Sequence, residues 1–208
     1  MRSAFDKLIS WTGLALAAVL IAAGGLLTWA NTFIGDQVKD QLTMQDITMP
    51  EGEALASLPE ADASALEKYA GSALDSGPEA KAYADHYILV HMNAASNGRT
   101  YQEVSSAYQA MSVAEKASPQ GQAVAGLRET LFQGNTLRGL LLYGYAFATM
   151  GTIAGIAAIA AYVVAIILLI LGVLGLRHAR RAAAAEQASP TGSWGDESSA
   201  QASPPMTT

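Results

Sequence analysis

"LLLYGYAFATMGTIAGIAAIAAYVVAIILLILGVLGL" spans residues 140–176 without one charged side chain, and "RHARR" follows it at residue 177. About 20 apolar residues cross the hydrocarbon core of a bilayer, which is roughly 30 Å thick. At about 1.5 Å of rise per residue, a helix made of this stretch would be roughly 55 Å long. The stretch therefore predicts a membrane-spanning helix with a surplus that lies outside the lipid.

A second apolar block lies at residues 8–33, close to the N-terminus. Because lipid offers no partner to unpaired backbone groups, both blocks must be helical. The sequence thus predicts an all-α membrane protein with two transmembrane helices and a small helical extracytoplasmic domain between them. The predicted segments are a cytoplasmic N-terminus at 1–10, the first transmembrane helix at 11–33, the extracytoplasmic domain at 34–136, a long helix that includes the second transmembrane helix at 137–176, and a basic stop with a disordered cytoplasmic tail at 177–208.

Basic residues set the predicted orientation. Arg2 and Lys7 precede the first span and three arginines follow the second, so the positive-inside rule places both termini in the cytoplasm and the protein in the inner membrane. The predicted membrane anchors are Trp11, Trp29, Arg177, Arg180 and Arg181. The N-terminus also has the positive start of a secretory signal, but its apolar part exceeds the 7 to 15 residues of such signals, which favours an uncleaved anchor.

The charge and cysteine content exclude several classes of function. Residues 36–136 carry 14 acidic and six basic side chains, an excess of eight negative charges. A nucleic-acid surface needs clustered Lys and Arg, so this region is not one. The chain contains no cysteine, which removes disulfides and thiolate metal sites from consideration.

Residues that start and end helices are clear in the second half of the predicted extracytoplasmic domain. Ser76 before Pro78 predicts a helix start, and Asn97-Gly98 predicts its end. Thr100 and Glu103 have capping-box spacing, which predicts a helix over residues 101–113, and Ser118-Pro119 predicts the start of the long helix. The helix at 77–96 is expected to bury one face. The residues of that face are Ala80, Ala84, Tyr87, Ile88, His91 and Ala95. Upstream, one short helix is expected near residues 63–74, and no strand is predicted.

A metal site would have to use His86 and His91, with Asp85 nearby. A spacing of five residues places two α-helical side chains about 140° apart rather than on one face, so no metal ligands are predicted. No G-x-S-x-G nucleophile motif occurs, and the carboxylates are scattered singly. We therefore predict no catalytic residue, no cofactor and no enzymatic activity.

Small residues and aromatic residues indicate packing and docking surfaces instead. Gly151 and Gly155 form a G-x-x-x-G pattern, and Gly13 and Ala17 offer a matching pattern in the first span, which predicts close packing of two helices. The predicted docking surface, which should cover the helix at residues 137–154, consists of Tyr83, Tyr87, Ile88 and His91.

Two stretches resemble a family of small two-span membrane proteins from high-GC actinobacteria that carries the name aromatic ring-opening dioxygenase, LigA. They are "YADHYILVHMNAASNGRTYQEV", beginning at Tyr83, and "LRGLLLYGYAFATMG", beginning at Leu137. They stand at places that correspond to the family patterns Y-A-x-A-x-x-I-x-x-H-A, G-[KR]-T-Y-x-E and L-R-x-S-L-F, over roughly residues 82–177. The best elements of the resemblance are Tyr83, Ile88, His91, the stretch GRTYQE and Leu137-Arg138, whereas Asp85-His86-Tyr87 departs from the small or polar residues usual there. The resemblance implies the two-span topology. Ring-opening chemistry needs two His and a carboxylate on one open iron site, which the spacing above does not supply.

The sequence favours a non-enzymatic accessory or scaffold subunit whose extracytoplasmic helical domain contacts another envelope or membrane complex. The expected partners are the lipid bilayer and another membrane protein or a second copy of this chain, and no nucleic acid. A metal-dependent membrane enzyme using His86 and His91 is one alternative. An oligomeric transporter component is another, although two spans without an intramembrane charge cannot line a polar path alone.

Overall fold

The computed structural model describes residues 2–188, and their regular secondary structure is helical. The elements are α1 Arg2–Thr43, α2 Gly52–Ala56, α3 Glu60–Glu67, α4 Gly77–Ala82, a π-helix Tyr83–Ile88, α5 Leu89–Ser96, α6 Tyr101–Ala110, α7 Val113–Ala117 and α8 Pro119–Ala188. In the described chain the β-structure is limited to one isolated bridge between Thr48 and Ala73. The predicted all-α fold is confirmed, and both α1 and α8 are long and apolar enough to cross a membrane. α8 runs through residues 177–188, so the first part of the segment predicted as a basic stop with a disordered tail is helical instead. The rest of that predicted tail lies outside the described residues.

Both long helices extend past the predicted spans. α1 continues for ten residues after Phe33 because Ile34, Val38 and Leu42 recur every four residues and pack inward. α8 begins at Pro119, as the Ser118-Pro119 pattern predicted. Both ends of the segment 34–136 are therefore continuations of the long helices.

Contacts divide the chain into two compact units, one of Met1–Ala22 with Ala161–Thr208 and the other of Ala23–Ala160. In the first unit α1 and α8 pack directly together. Ser10 and Leu14 lie against Gly175 and Gly172, where an added methyl group would not fit, and Ala17 is fully buried. Glycine at these positions lets the two backbones approach closely.

The second unit contains the hydrophobic core of the protein. Its main cluster gathers leucines from α1, α3, α8 and the connecting segments around the alanines of α4 and the π-helix. The buried members are Leu42, Met49, Leu58, Leu66, Leu74, Ala80, Ala82, Ala84 and Leu141. A smaller cluster joins Met92, Val104 and Leu131. α8 therefore contributes one buried leucine to each cluster and carries the domain on one side.

The predicted helix starts are confirmed by their caps. The carboxylate of Glu79, which is buried, accepts hydrogen bonds from the backbone N–H of Ser76 at 3.0 Å and from the hydroxyl of Ser72 at 3.1 Å. Glu103 accepts from the backbone N–H of Thr100 at 2.7 Å. These reciprocal bonds satisfy N–H groups that a helix start leaves without a partner.

One predicted helix ends three residues earlier than expected, and a further short helix follows it. The structure ends α6 at Ala110 rather than at residue 113, and Met111 is extended. Ser112 then begins α7 with its own capping box, in which its hydroxyl accepts from the backbone N–H of Glu115 at 3.2 Å. The Ser-x-x-Glu spacing that marks this start is visible in the sequence and outweighs the weak apolar periodicity there.

The predicted buried face of residues 77–96 is wrong in its second half. Ala80 and Ala84 are buried as predicted, but His91 and Ala95 are exposed, and Met92 and Ser96 are buried instead. The π-helix Tyr83–Ile88 explains this shift of one position. A π-helical turn closes with one residue more than an α-helical turn, so every later side chain moves by one place relative to the core.

Candidate functional site

The π-helix is held in place by Arg138 of α8. Nε of Arg138 donates to the backbone carbonyl of Ala84 at 3.0 Å, and Nη2 donates to Oδ1 of Asp85 at 2.8 Å. The Ala84 carbonyl also accepts from the N–H of Leu89, the bond that closes the wide turn. Arg138 thus joins α8 to the irregular segment through one carbonyl and one carboxylate.

Asp85 is the electrostatic centre of this contact. Partial burial raises the pKa of its carboxyl, but hydrogen bonds and charge from Lys81 and Arg138 outweigh the burial and hold the pKa below its ordinary value. Lys81 reaches Asp85 from one turn earlier in the helix. The carboxylate is therefore ionised at neutral pH and neutralised by two cations.

Three of the four predicted docking residues form an aromatic stack on the same segment. The rings of Tyr83 and Tyr87 lie 4.8 Å apart, and Tyr87 and His91 lie 4.4 Å apart. Tyr83, Tyr87 and Ile88 are half-buried and pack against the main core cluster, whereas His91 is exposed. Burial raises the pKa of Tyr83, with a smaller contribution from Tyr87, so the phenol of Tyr83 is neutral at physiological pH. The stack joins the π-helix to the core.

The two histidines considered as metal ligands have separate partners. Nδ1 of His86 lies 2.8 Å from Oδ1 of Asp62, and Nδ1 of His91 donates to the carbonyl of Tyr87 at 2.8 Å. Within residues 2–188, no group of three or more His, Cys, Asp or Glu side chains is placed to hold a metal ion. His86 thus ties the π-helix to α3 through Asp62.

An open groove of about 600 Å³ lies beside this segment. Lys68, Lys81, His86 and Tyr145 are among its lining residues. Lys81 is paired with Asp85, and the ammonium group of Lys68 lies 4.6 Å from the ring centre of Tyr69. These cations are used in contacts within the domain, so the groove offers little pre-formed charge to a ligand.

The predicted packing residues fall into two groups. An added methyl group on Gly151 would lie 3.2 Å from Ile34, and one on Gly155 would lie 2.9 Å from Asn31, so this G-x-x-x-G pattern lies against α1. Gly13 differs, because the space around it is open for 4 Å, although Ala17 is fully buried. The predicted anchors are all exposed side chains, namely Trp11, Trp29, Arg177, Arg180 and Arg181.

One side of α8 in the second unit carries a stripe of exposed apolar side chains. Its members are Leu140, Tyr143, Phe147 and Met150, which are between 55% and 67% exposed. They follow one another at intervals of three, four and three residues, which places them on one side of the helix. We call these four residues the α8 stripe.

The α8 stripe corrects the prediction that the helices of residues 76–113 cover residues 137–154. Cover exists on one side only, where Leu141 is buried and Gly77 lies against Tyr145 and Ala148. A single domain can cover only part of a helix circumference, and this domain occupies the side marked by Arg138 and Leu141. The opposite side remains open.

α1 has a different surface at the same level. Ile34 lies opposite Gly151 and Leu42 lies opposite Gly144, so Phe147 and Met150 are level with the α1 segment 34–42. The exposed charged residues of that segment are Asp36, Lys39 and Asp40. Lys39 pairs with Asp75 at 3.2 Å. A charged helix surface and an apolar helix surface therefore lie side by side at one level.

Comparison of the chain with protein-family models, curated proteins and solved structures finds no match. The assignment of function therefore depends on the geometry described above.

Tyr87→Asp is expected to loosen residues 76–113 while both long helices stay intact, because a carboxylate replaces a stacked, half-buried ring. Limited proteolysis in membranes should cut this segment faster than in the parent protein. Tyr87→Phe keeps the ring and is the matched control. Equal cleavage rates for the aspartate variant and the parent would show that the stack does not stabilise the segment.

Proposed function

We propose that this protein is a non-enzymatic integral membrane protein, an accessory or scaffold subunit that contacts another protein outside the cytoplasm. In this proposal α1 and α8 cross the inner membrane, and residues 34–136 lie outside the cytoplasm. The α8 stripe is the observation that carries this proposal, since it is a contact surface without cover in the described chain.

The position of the stripe argues for a protein partner rather than lipid. If lipid reached Phe147, it would also reach the level of Asp36, Lys39 and Asp40, and each charge in hydrocarbon costs roughly 2.5 to 3.5 kcal/mol. If water covered the stripe, about 1.5 to 3 kcal/mol would be lost for each of its side chains. A protein contact restricted to α8 avoids both costs. This is the usual meaning of an exposed apolar patch.

The arrangement of α8 supports a scaffold role. One side of the helix carries the domain through Leu141 and Arg138, and the other side presents the stripe. Because both sides belong to one continuous helix, the domain and any partner on the stripe are fixed at a defined height above the membrane. The bonds of Arg138 to the π-helix would then serve to orient the domain relative to that partner.

The direct test is affinity purification in mild detergent from cells that also make a differently tagged second copy of the chain, with mass spectrometry of the proteins that co-purify. The parent protein is compared with a Tyr143→Ser/Phe147→Ser variant and with a Gln37→Ser/Gln41→Ser control, which changes exposed α1 residues near the same level. A stoichiometric component should be lost from the stripe variant alone. Retention of every component by the stripe variant would contradict the proposal.

The proposed orientation is tested by reporter fusions. Basic residues near both ends favour cytoplasmic termini, so a reporter that is active only in the cytoplasm should be active when fused after Arg181. The same reporter inserted at the exposed turn Asn97-Gly98 should be inactive. A reporter that is inactive after Arg181 and active at Asn97-Gly98 would place residues 34–136 in the cytoplasm.

A further inference from the structure

We infer that the occupant of the α8 stripe is the α8 stripe of a second copy of this chain, in a parallel two-fold dimer. The inference rests on the proposed function in its premise that the stripe lies above the membrane and is covered by protein. It adds the identity of the partner and the geometry of the contact.

The spacing of the stripe is that of a two-helix seam. Leu140, Tyr143, Phe147 and Met150 occupy successive a and d positions of a heptad pattern, and Ala154 and Ala157 continue it. A spacing of two residues per heptad suits one partner helix at a small crossing angle.

The membrane fixes how two copies can meet. Copies inserted in one bilayer share one orientation, so their α8 helices are parallel and each stripe residue lies at the same height in both. A two-fold contact then brings each residue against or next to its own equivalent. Such a contact requires a surface whose shape and charge allow it to pack against an identical surface.

Charge also favours a second copy. In a symmetric contact every charged seam residue would meet a like charge, and no residue from 139 to 157 is charged. Gly139 and Ala146 flank the seam and leave room for a neighbouring backbone.

Disulfide cross-linking in native membranes tests this dimer directly, because the chain contains no cysteine of its own. Single cysteines are placed at Leu140, Tyr143, Phe147 and Met150, one for each variant. Thr152→Cys is the control on α8, since its position lies nine residues after Tyr143 and so on the opposite side of the helix. Gln37→Cys is the exposed control on α1. A bridge requires Cα atoms within about 7 Å, so only positions at the seam can form one.

Mild oxidation should give a disulfide-linked dimer from stripe variants and leave both controls monomeric. Equal linkage at Thr152 or Gln37, or no linkage at any stripe position, would overturn the dimer. If linkage is absent but the Tyr143→Ser/Phe147→Ser variant still loses a different co-purifying protein, the proposed function stands and the second copy is the wrong partner. If that variant also loses nothing, both proposals fail.

Discussion

Leu141→Ala should lower the free energy of unfolding of the second unit by about 3 kcal/mol, whereas Leu140→Ala should change it by less than about 0.5 kcal/mol. Leu141 is almost fully buried among the leucines and alanines of the main core cluster, while its neighbour Leu140 is 56% exposed. The same substitution at adjacent positions of one helix thus separates the folding side of α8 from the docking side. Hydrogen exchange of the backbone amides of α4 and α5 in detergent would measure the difference.

In an association assay, Leu140→Ala should have a larger effect than Leu141→Ala. Leu140→Ala removes apolar area from the α8 stripe and should weaken the co-purification of the partner, while its domain stays folded. If Leu140→Ala destabilised the domain as much as Leu141→Ala, the described division of α8 into two sides would be wrong.

Arg138→Ala is expected to destabilise the π-helix and the domain by about 3 kcal/mol, because Asp85 loses a guanidinium partner and the Ala84 carbonyl loses a donor. Arg128→Ala is the matched control, since Arg128 lies on the same helix and contacts only the ring of Tyr108 in the described structure. Faster amide exchange at Leu89, whose N–H closes the wide turn, is the specific readout.

The effect of Arg138→Ala should depend on pH with a definite sign. The pKa of Asp85 is lowered from its ordinary value of 3.8, so the folded state favours the ionised form. The stabilisation by Arg138 is then complete above about pH 4 and is lost as the pH falls through the folded-state pKa. The difference in stability between the parent and the variant should therefore shrink in acid to the part that comes from the bond to the Ala84 carbonyl. A difference that persisted unchanged at low pH would show that the ion pair with Asp85 does not contribute to the effect of Arg138.

The helices and helix ends that could be predicted from the sequence are those that depend on neighbouring residues in the chain. Uncharged length requires two long helices, and Ser or Thr followed three residues later by Glu marks the helix starts at Ser76 and Thr100. The C-terminal end at Asn97 follows from its left-handed backbone, with φ of 55°, which asparagine tolerates better than most residues.

The remaining features depend on contacts between segments distant in sequence. The π-helix is bonded to Arg138 of α8. No local sequence pattern distinguishes it from an α-helix of the same composition. One signal was present, because Arg138 is the only charged residue from 130 to 176. A single charge in so long an apolar helix needs a partner, and Asp85 lies 53 positions earlier in the chain. The α8 stripe could not be separated from the buried side by composition, since both sides are apolar.

The most direct test of the central claim, that the α8 stripe is a protein-binding surface above the bilayer, is photo-cross-linking in native membranes. A photoreactive phenylalanine analogue is placed at Phe147, and in a separate variant at Ile159, which is 65% exposed and lies further down the apolar part of α8. Irradiation should give a discrete protein adduct from position 147 and none from position 159, which should face lipid. No adduct from position 147, or the same adducts from both positions, would contradict the claim.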